Sequence, residues 1–173
     1  MLRRHQGGRI DSGSSWADAM RIRVFWEGKT KDAHLRALIA DYTRRIAKFT
    51  DIVIEELPEA KRARSRSAKK ASPVETRMLE KMGNSTRVFL DPQGAEWSSK
   101  EFALWLGDQG VHGTKEIAFV VGAADGFSPA FHQHANILLS LSRMTLTHDW
   151  TRAMLLEQIY RGFTILRGFP YAR

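Results

Sequence analysis

Apolar and polar positions alternate in a regular order from Met20 onward. Ile22 to Trp26 is a short apolar run with strand character. Leu35, Leu38, Ile39, Tyr42, Ile46 and Phe49 then recur at helical spacing and define one apolar face. Asp51 to Leu57 reads as a strand, Ile-Val-Ile between polar residues. Pro73 suits the first turn of a helix that carries Val74, Met78 and Leu79. Arg87 to Leu90 is a further strand, closed by the turn chemistry of Asp91-Pro92-Gln93-Gly94. Ser98 is placed to cap a helix through about Leu106 that carries Phe102 and Trp105.

Ile117 to Val121 is a strand that stops at Gly122-Ala123-Ala124-Asp125-Gly126. Ser128-Pro129 has the form of an N-cap with proline at the first helical position. A second apolar run, Ile137 to Leu141, leads into Ser142-Arg143-Met144-Thr145-Leu146-Thr147-His148. The last helix is expected from about Asp149 to Thr164, with Met154, Leu155, Ile159 and Phe163 towards the core. Strands alternating with helices imply βαβ units, hence an α/β fold with a mainly parallel sheet. Ligands of open α/β sheets bind at the carboxyl ends of the strands, which marks Ile117–Thr147 as the stretch to watch.

The 173-residue length suits one domain with a real core. Residues 1–19 are polar and contain Gly and Ser, and read as a disordered N-terminal extension, so the domain is expected over 20–173. Net charge is +8, and the excess is clustered. Six of the ten residues from Lys61 to Lys70 are cationic and none is acidic. Like charges at this density repel, so a mobile loop is expected there. Arg62, Arg64, Arg66, Lys69 and Lys70 are candidates for RNA phosphates or exposed bases; a solvated surface loop is the plainer reading. The absence of cysteine excludes disulfides, thiolate catalysis and cysteine-ligated zinc. It fits a reduced, cytoplasmic setting. No apolar run is long enough to span a membrane, and no metal is expected.

Single motifs decide little. The Gly122–Gly126 turn lets a ligand approach the backbone, yet many strand-to-helix turns use glycine for conformational reasons. A dinucleotide site is rejected, because the G-x-G-x-x-G pattern and its downstream acid are missing. His132 and His134 would point apart on a helix and do not make a metal pair. No HExxH or Gly-x-Ser-x-Gly pattern occurs. The ending Phe169-Pro170-Tyr171-Ala172-Arg173 suggests a docked end, either folding over a site or plugging the core.

Three segments taken together say more: Val88-Phe-Leu-Asp-Pro-Gln-Gly94, Val120-Val-Gly-Ala-Ala-Asp-Gly-Phe-Ser-Pro129, and Ser140-Leu-Ser-Arg-Met-Thr-Leu-Thr-His148. With Arg152, Glu157-Gln-Ile-Tyr-Arg161 and the final Pro-Tyr-Ala-Arg, they resemble the bacterial large-subunit ribosomal RNA pseudouridine N3-methyltransferases of the SPOUT superfamily. The resemblance covers about Met20 to Arg173. It implies a SPOUT-type α/β fold with a C-terminal trefoil knot, and S-adenosylmethionine as cofactor. The implied cofactor residues are Leu90, Gly122, Leu141, Ser142, Arg143, Met144, Thr145 and Leu146. The implied partners are ribosomal RNA in the assembled ribosome and a second copy of the chain, since two subunits form the site. His148, Tyr171 and Arg173 are the candidate catalytic residues; for His148, a loop histidine capping the last helix is an equal alternative.

The chain departs from the family twice. The usual Gly-Gly-Pro-Glu-Gly is Gly122-Ala-Ala-Asp-Gly126, and the tail His-Pro-Tyr-His-Arg has lost both histidines. Two other functions are weighed: a SPOUT enzyme acting at another RNA position, and a non-catalytic RNA-binding module.

Overall fold

The computed structural model describes residues 20–59 and 70–171. The expected extension at 1–19 lies outside the described residues, as does the basic run apart from Lys70. Five strands form one sheet: β1 (Arg21–Glu27), β2 (Asp51–Leu57), β3 (Thr86–Glu96), β4 (Glu116–Val121) and β5 (Ile137–Ser140). The helices are α1 (Ala33–Ile46), α2 (Pro73–Met82), α3 (Ser99–Val111), the single turn α4 (Pro129–His132) and α5 (His148–Leu166). Strand order is β2-β1-β4-β3-β5, and every pairing is parallel.

Alternation along the central strands builds two cores, because successive side chains leave opposite faces. Ile22, Val24 and Trp26, Val88 and Leu90, and Ile117, Phe119 and Val121 face α1, α3 and α5. Phe25, Phe89, Ala118 and Val120 face the other way, onto Met78 and Met82 of α2 and Phe131 of α4. Burial of both faces is what makes these strands read as nearly continuous apolar runs.

Local chemistry starts each helix. Asp32 accepts the His34 and Leu35 amides at the head of α1. Ser72 with Glu75, and Ser98 with Glu101, form reciprocal capping boxes on α2 and α3. Ser128 caps α4 and Thr147 caps α5. The Thr147 cap corrects one alternative: His148 is the first helical residue, not the cap.

Other expectations shift. α3 runs to Val111, beyond the expected stop near Leu106. Gly107 does not end it; a Cβ there would lie 2.8 Å from Leu166 Cδ2, so the missing side chain lets α3 and α5 close up. α5 buries Arg152, Ala153, Leu155, Leu156, Ile159, Gly162 and Phe163, whereas Met154 is only half-buried. Leu38 is exposed although it lies on the apolar spacing of α1. The turn at 91–94 is real but lies inside β3: Leu139 faces both Leu90 and Ala95, and the four residues between them bulge out. Gly94 is required there, because a Cβ would fall 2.5 Å from the Leu138 carbonyl carbon.

Candidate active site

Parallel register brings the bulge inside β3 level with the ends of β4 and β5. Leu90 of β3 is level with Val121 of β4 and with Leu139 of β5. The segments that follow, 91–94, 122–128 and 141–147, therefore leave one edge of the sheet side by side. Trp26 of β1 is level with Val121, which brings the 28–32 connection to the same edge.

Each segment has its own fastening. Asp91 Oδ1 accepts the Gln93 amide at 2.7 Å, and Oδ2 lies 2.9 Å from His132 Nε2 on α4. In the second segment Gly126, at φ 74°, donates its amide to the Ala123 carbonyl at 2.8 Å. The Phe127 ring folds back beneath Gly122, so that a Cβ on Gly122 would lie 3.3 Å from Phe127 Cζ. In the third, Ser140 Oγ donates to the Ser142 carbonyl, and Ser142 Oγ accepts the Met144 amide at 2.9 Å. Leu141 and Leu146 are half-buried, Thr145 is exposed, and Met144 is 79% exposed. Arg143 reaches Glu96 at 3.3 Å.

The start of α5 is tied to the same edge by a buried cation. Arg152, 2% exposed, donates to Thr30 Oγ1 at 2.9 Å and to the Glu27 carbonyl at 2.8 Å. Its guanidinium lies 5.0 Å from the Trp26 ring centre and 3.1 Å from Asp149 Oδ1. Burial lowers the Arg152 pKa, and the charge of Asp149 opposes that shift. Asp149 Oδ2 accepts the Lys31 amide, and Oδ1 is 3.4 Å from His148 Nε2. His148 is thus held, half-buried, beside the strand-end segments.

The sequence-derived residues divide into two places. Leu90, Gly122, Leu141 to Leu146 and His148 converge at one edge. Leu90 is itself buried, so it meets that edge through its backbone. Tyr171 is fastened between α1 and the middle of α5. Its hydroxyl is 3.0 Å from Tyr42 Oη and 3.3 Å from Glu157 Oε1, and its ring stands edge-on to Tyr160. Phe169 packs on Phe49. Burial, with the Tyr42 and Glu157 contacts, pushes the Tyr171 phenol well above its ordinary pKa. Arg173 lies outside the described residues, as do Arg62, Arg64, Arg66 and Lys69; Lys70 is exposed. Among the described residues, no group of three or more acidic, histidine or cysteine side chains is arranged to hold a metal ion.

Residues 20–172 match the family described as "Predicted SPOUT methyltransferase". The chain belongs to the SPOUT methyltransferase family. Its relatives include a protein of Geotalea uraniireducens named Ribosomal RNA large subunit methyltransferase H, 40% identical over 88% of this chain and 99% of its own. A protein of the same name from Ligilactobacillus salivarius is 39% identical, also over 88% of this chain and 99% of its own. A solved methylase family protein from Neisseria gonorrhoeae shares the fold at TM-score 0.51, with 11% identity over 90% of this chain and 86% of that one.

Within a SPOUT methyltransferase, a convergent set of strand-end backbone groups flanked by Leu141, Leu146 and Met144 suits a ligand with one apolar face and polar edges. Residue spacing did not disclose two fastenings: the Asp91–His132 pair and the Arg152–Asp149 network. The partners in the first are 41 positions apart, and Arg152 and Thr30 are 122 apart. The one available signal was an arginine near the start of an otherwise apolar helix face.

Proposed function

We propose that this chain is an S-adenosylmethionine-dependent methyltransferase that methylates N3 of a pseudouridine in large-subunit ribosomal RNA. The observation that carries the reading is the convergence of the 91–94, 122–128 and 141–147 segments, the three that hold the family-like motifs, at one sheet edge. The names of the relatives support the RNA substrate.

Leu90, Gly122 and the run Leu141 to Leu146 would hold the cofactor, mainly through backbone groups. Bound there, it supplies a methyl group activated by its sulfonium. The chain's own task is placement, since alignment of donor and acceptor can supply much of the rate of an in-line displacement. The N3 proton must also leave. His148 is the candidate acceptor, through Nδ1, since Nε2 faces Asp149 Oδ1. Tyr171 and Arg173 are assigned to the target nucleotide and its phosphates. In this reading Tyr171 exchanges a hydrogen-bonded rest position for stacking when RNA arrives. Arg62, Arg64, Arg66, Lys69 and Lys70 contact RNA electrostatically.

The same reading includes the C-terminal knot, a homodimer in which the second subunit completes the site, and action on the assembled ribosome in the cytoplasm. The inward face of α5 is buried against its own subunit, so on that helix the dimer contact falls to exposed residues such as Trp150 and Ile165. The test has two parts. Calorimetry should show S-adenosylmethionine binding to the purified chain. Mass analysis of ribosomal RNA from a deletion strain should show one pseudouridine without its methyl group. Loss at another nucleotide would favour a different SPOUT specificity, and no cofactor heat would favour an RNA-binding module.

A further inference from the structure

One carboxylate fastens the central strand-end segment from the opposite core. Glu75, half-buried on α2, uses Oε2 to accept the Ser72 amide at 2.6 Å, which completes the capping box. Its other oxygen, Oε1, accepts the Ser128 amide at 2.8 Å, 53 residues away. Ser128 closes the segment that begins at Gly122, and it also caps α4. That amide is not part of the α4 hydrogen-bond ladder, so an outside acceptor is needed. The apolar surroundings join the same parts. Phe127 packs on Phe89 and Phe131 and lies under Gly122, and Val74 and Met78 of α2 belong to that cluster.

We infer that Glu75 is a positioning residue for the cofactor, acting through the 122–128 segment. The inference rests on the cofactor reading given above. An ionised carboxylate is what lets one side chain serve both amides, since it offers acceptors on both oxygens. Glutamine has one acceptor oxygen and one donor nitrogen. Glu75→Gln therefore leaves one of the two amides facing an N–H, at almost unchanged volume.

The test compares full-length wild type, E75Q and S72A. S72A removes the hydroxyl that caps α2 but leaves both amide bonds to Glu75 in place. Calorimetric titration with S-adenosylmethionine should give E75Q a dissociation constant raised by about tenfold or more, the scale on which displaced positioning groups are felt. S72A should melt lower than wild type and bind the cofactor as wild type does. Amide hydrogen exchange over 122–128 in the cofactor-free proteins should be faster in E75Q and unchanged in S72A. Equal affinities for E75Q and wild type would overturn the inference. Equal weakening in both variants would do the same, because it would assign Glu75 to helix capping alone. Exchange at 122–128 that E75Q leaves unchanged overturns it even without cofactor data. A wild type that gives no cofactor heat removes the cofactor reading itself, while the exchange measurement still decides whether Glu75 holds the segment.

Discussion

Gly122 and Gly94 lack side chains for different reasons. Gly94 leaves room for its own fold: a Cβ would lie 2.5 Å from Leu138 backbone, which cannot yield as a flexible side chain can. Gly94→Ala should lose about 1–3 kcal/mol in chemical denaturation. Gly122 borders the edge proposed to take the cofactor, and a Cβ would press only on the Phe127 ring tip. Gly122→Leu should fold, yet bind S-adenosylmethionine at least about tenfold more weakly by calorimetry. Tyr171 offers a pH test. Its folded pKa is raised, so its stabilising contribution is complete below the unfolded value of about 10 and is lost as pH rises through the higher folded value. Melting curves from neutral to strongly alkaline pH should show a steeper decline for wild type than for Tyr171→Phe. Identical slopes would mean that the Tyr42 and Glu157 contacts do not hold the phenol neutral. At this scale Gly122 stands out as a glycine directly after an apolar strand, a place where many turns use glycine for conformational reasons alone. Glu75 was legible only as half of Ser-x-x-Glu; its bond to Ser128 comes from tertiary packing, which no local pattern encodes.

Among the elements, starts were more legible than stops. Ser98 and Ser128 announce helices because a short side-chain oxygen satisfies amides that the helix leaves open. α3 runs past the expected stop near Leu106, and Gly107 within it seats against Leu166 of α5. β3 was cut short at Leu90 because its turn residues bulge out of a strand that resumes its pairing at Ala95. The start of α5 depends on Arg152, whose charge is buried against Trp26, Thr30 and Asp149. Arg152→Met keeps much of the volume and leaves Asp149 with a poorly solvated, unmatched charge. A loss of about 3–5 kcal/mol in urea denaturation is expected. A loss below about 1 kcal/mol, typical of exposed pairs, would show that the network contributes little.

At the scale of the whole molecule, alternating strands and helices gave the α/β class, and the structure adds an all-parallel sheet. The order β2-β1-β4-β3-β5 could not be read from periodicity, since all the central strands are similarly apolar. That order places β3 between β4 and β5 and so brings the segments of the candidate site together. Light scattering at micromolar concentration should report a dimer, the assembly in which a second subunit can complete that edge. A monomer would remove the shared site from the account.

The most direct measurement is methyl transfer by the purified chain. Ribosomes from a deletion strain are incubated with the protein and S-adenosylmethionine, and the large-subunit RNA is digested and analysed by mass. One added methyl group is expected, on N3 of a single pseudouridine, and none when the cofactor is omitted. An unmodified RNA after incubation with cofactor-binding protein, or a methyl group on any other nucleotide, would contradict it.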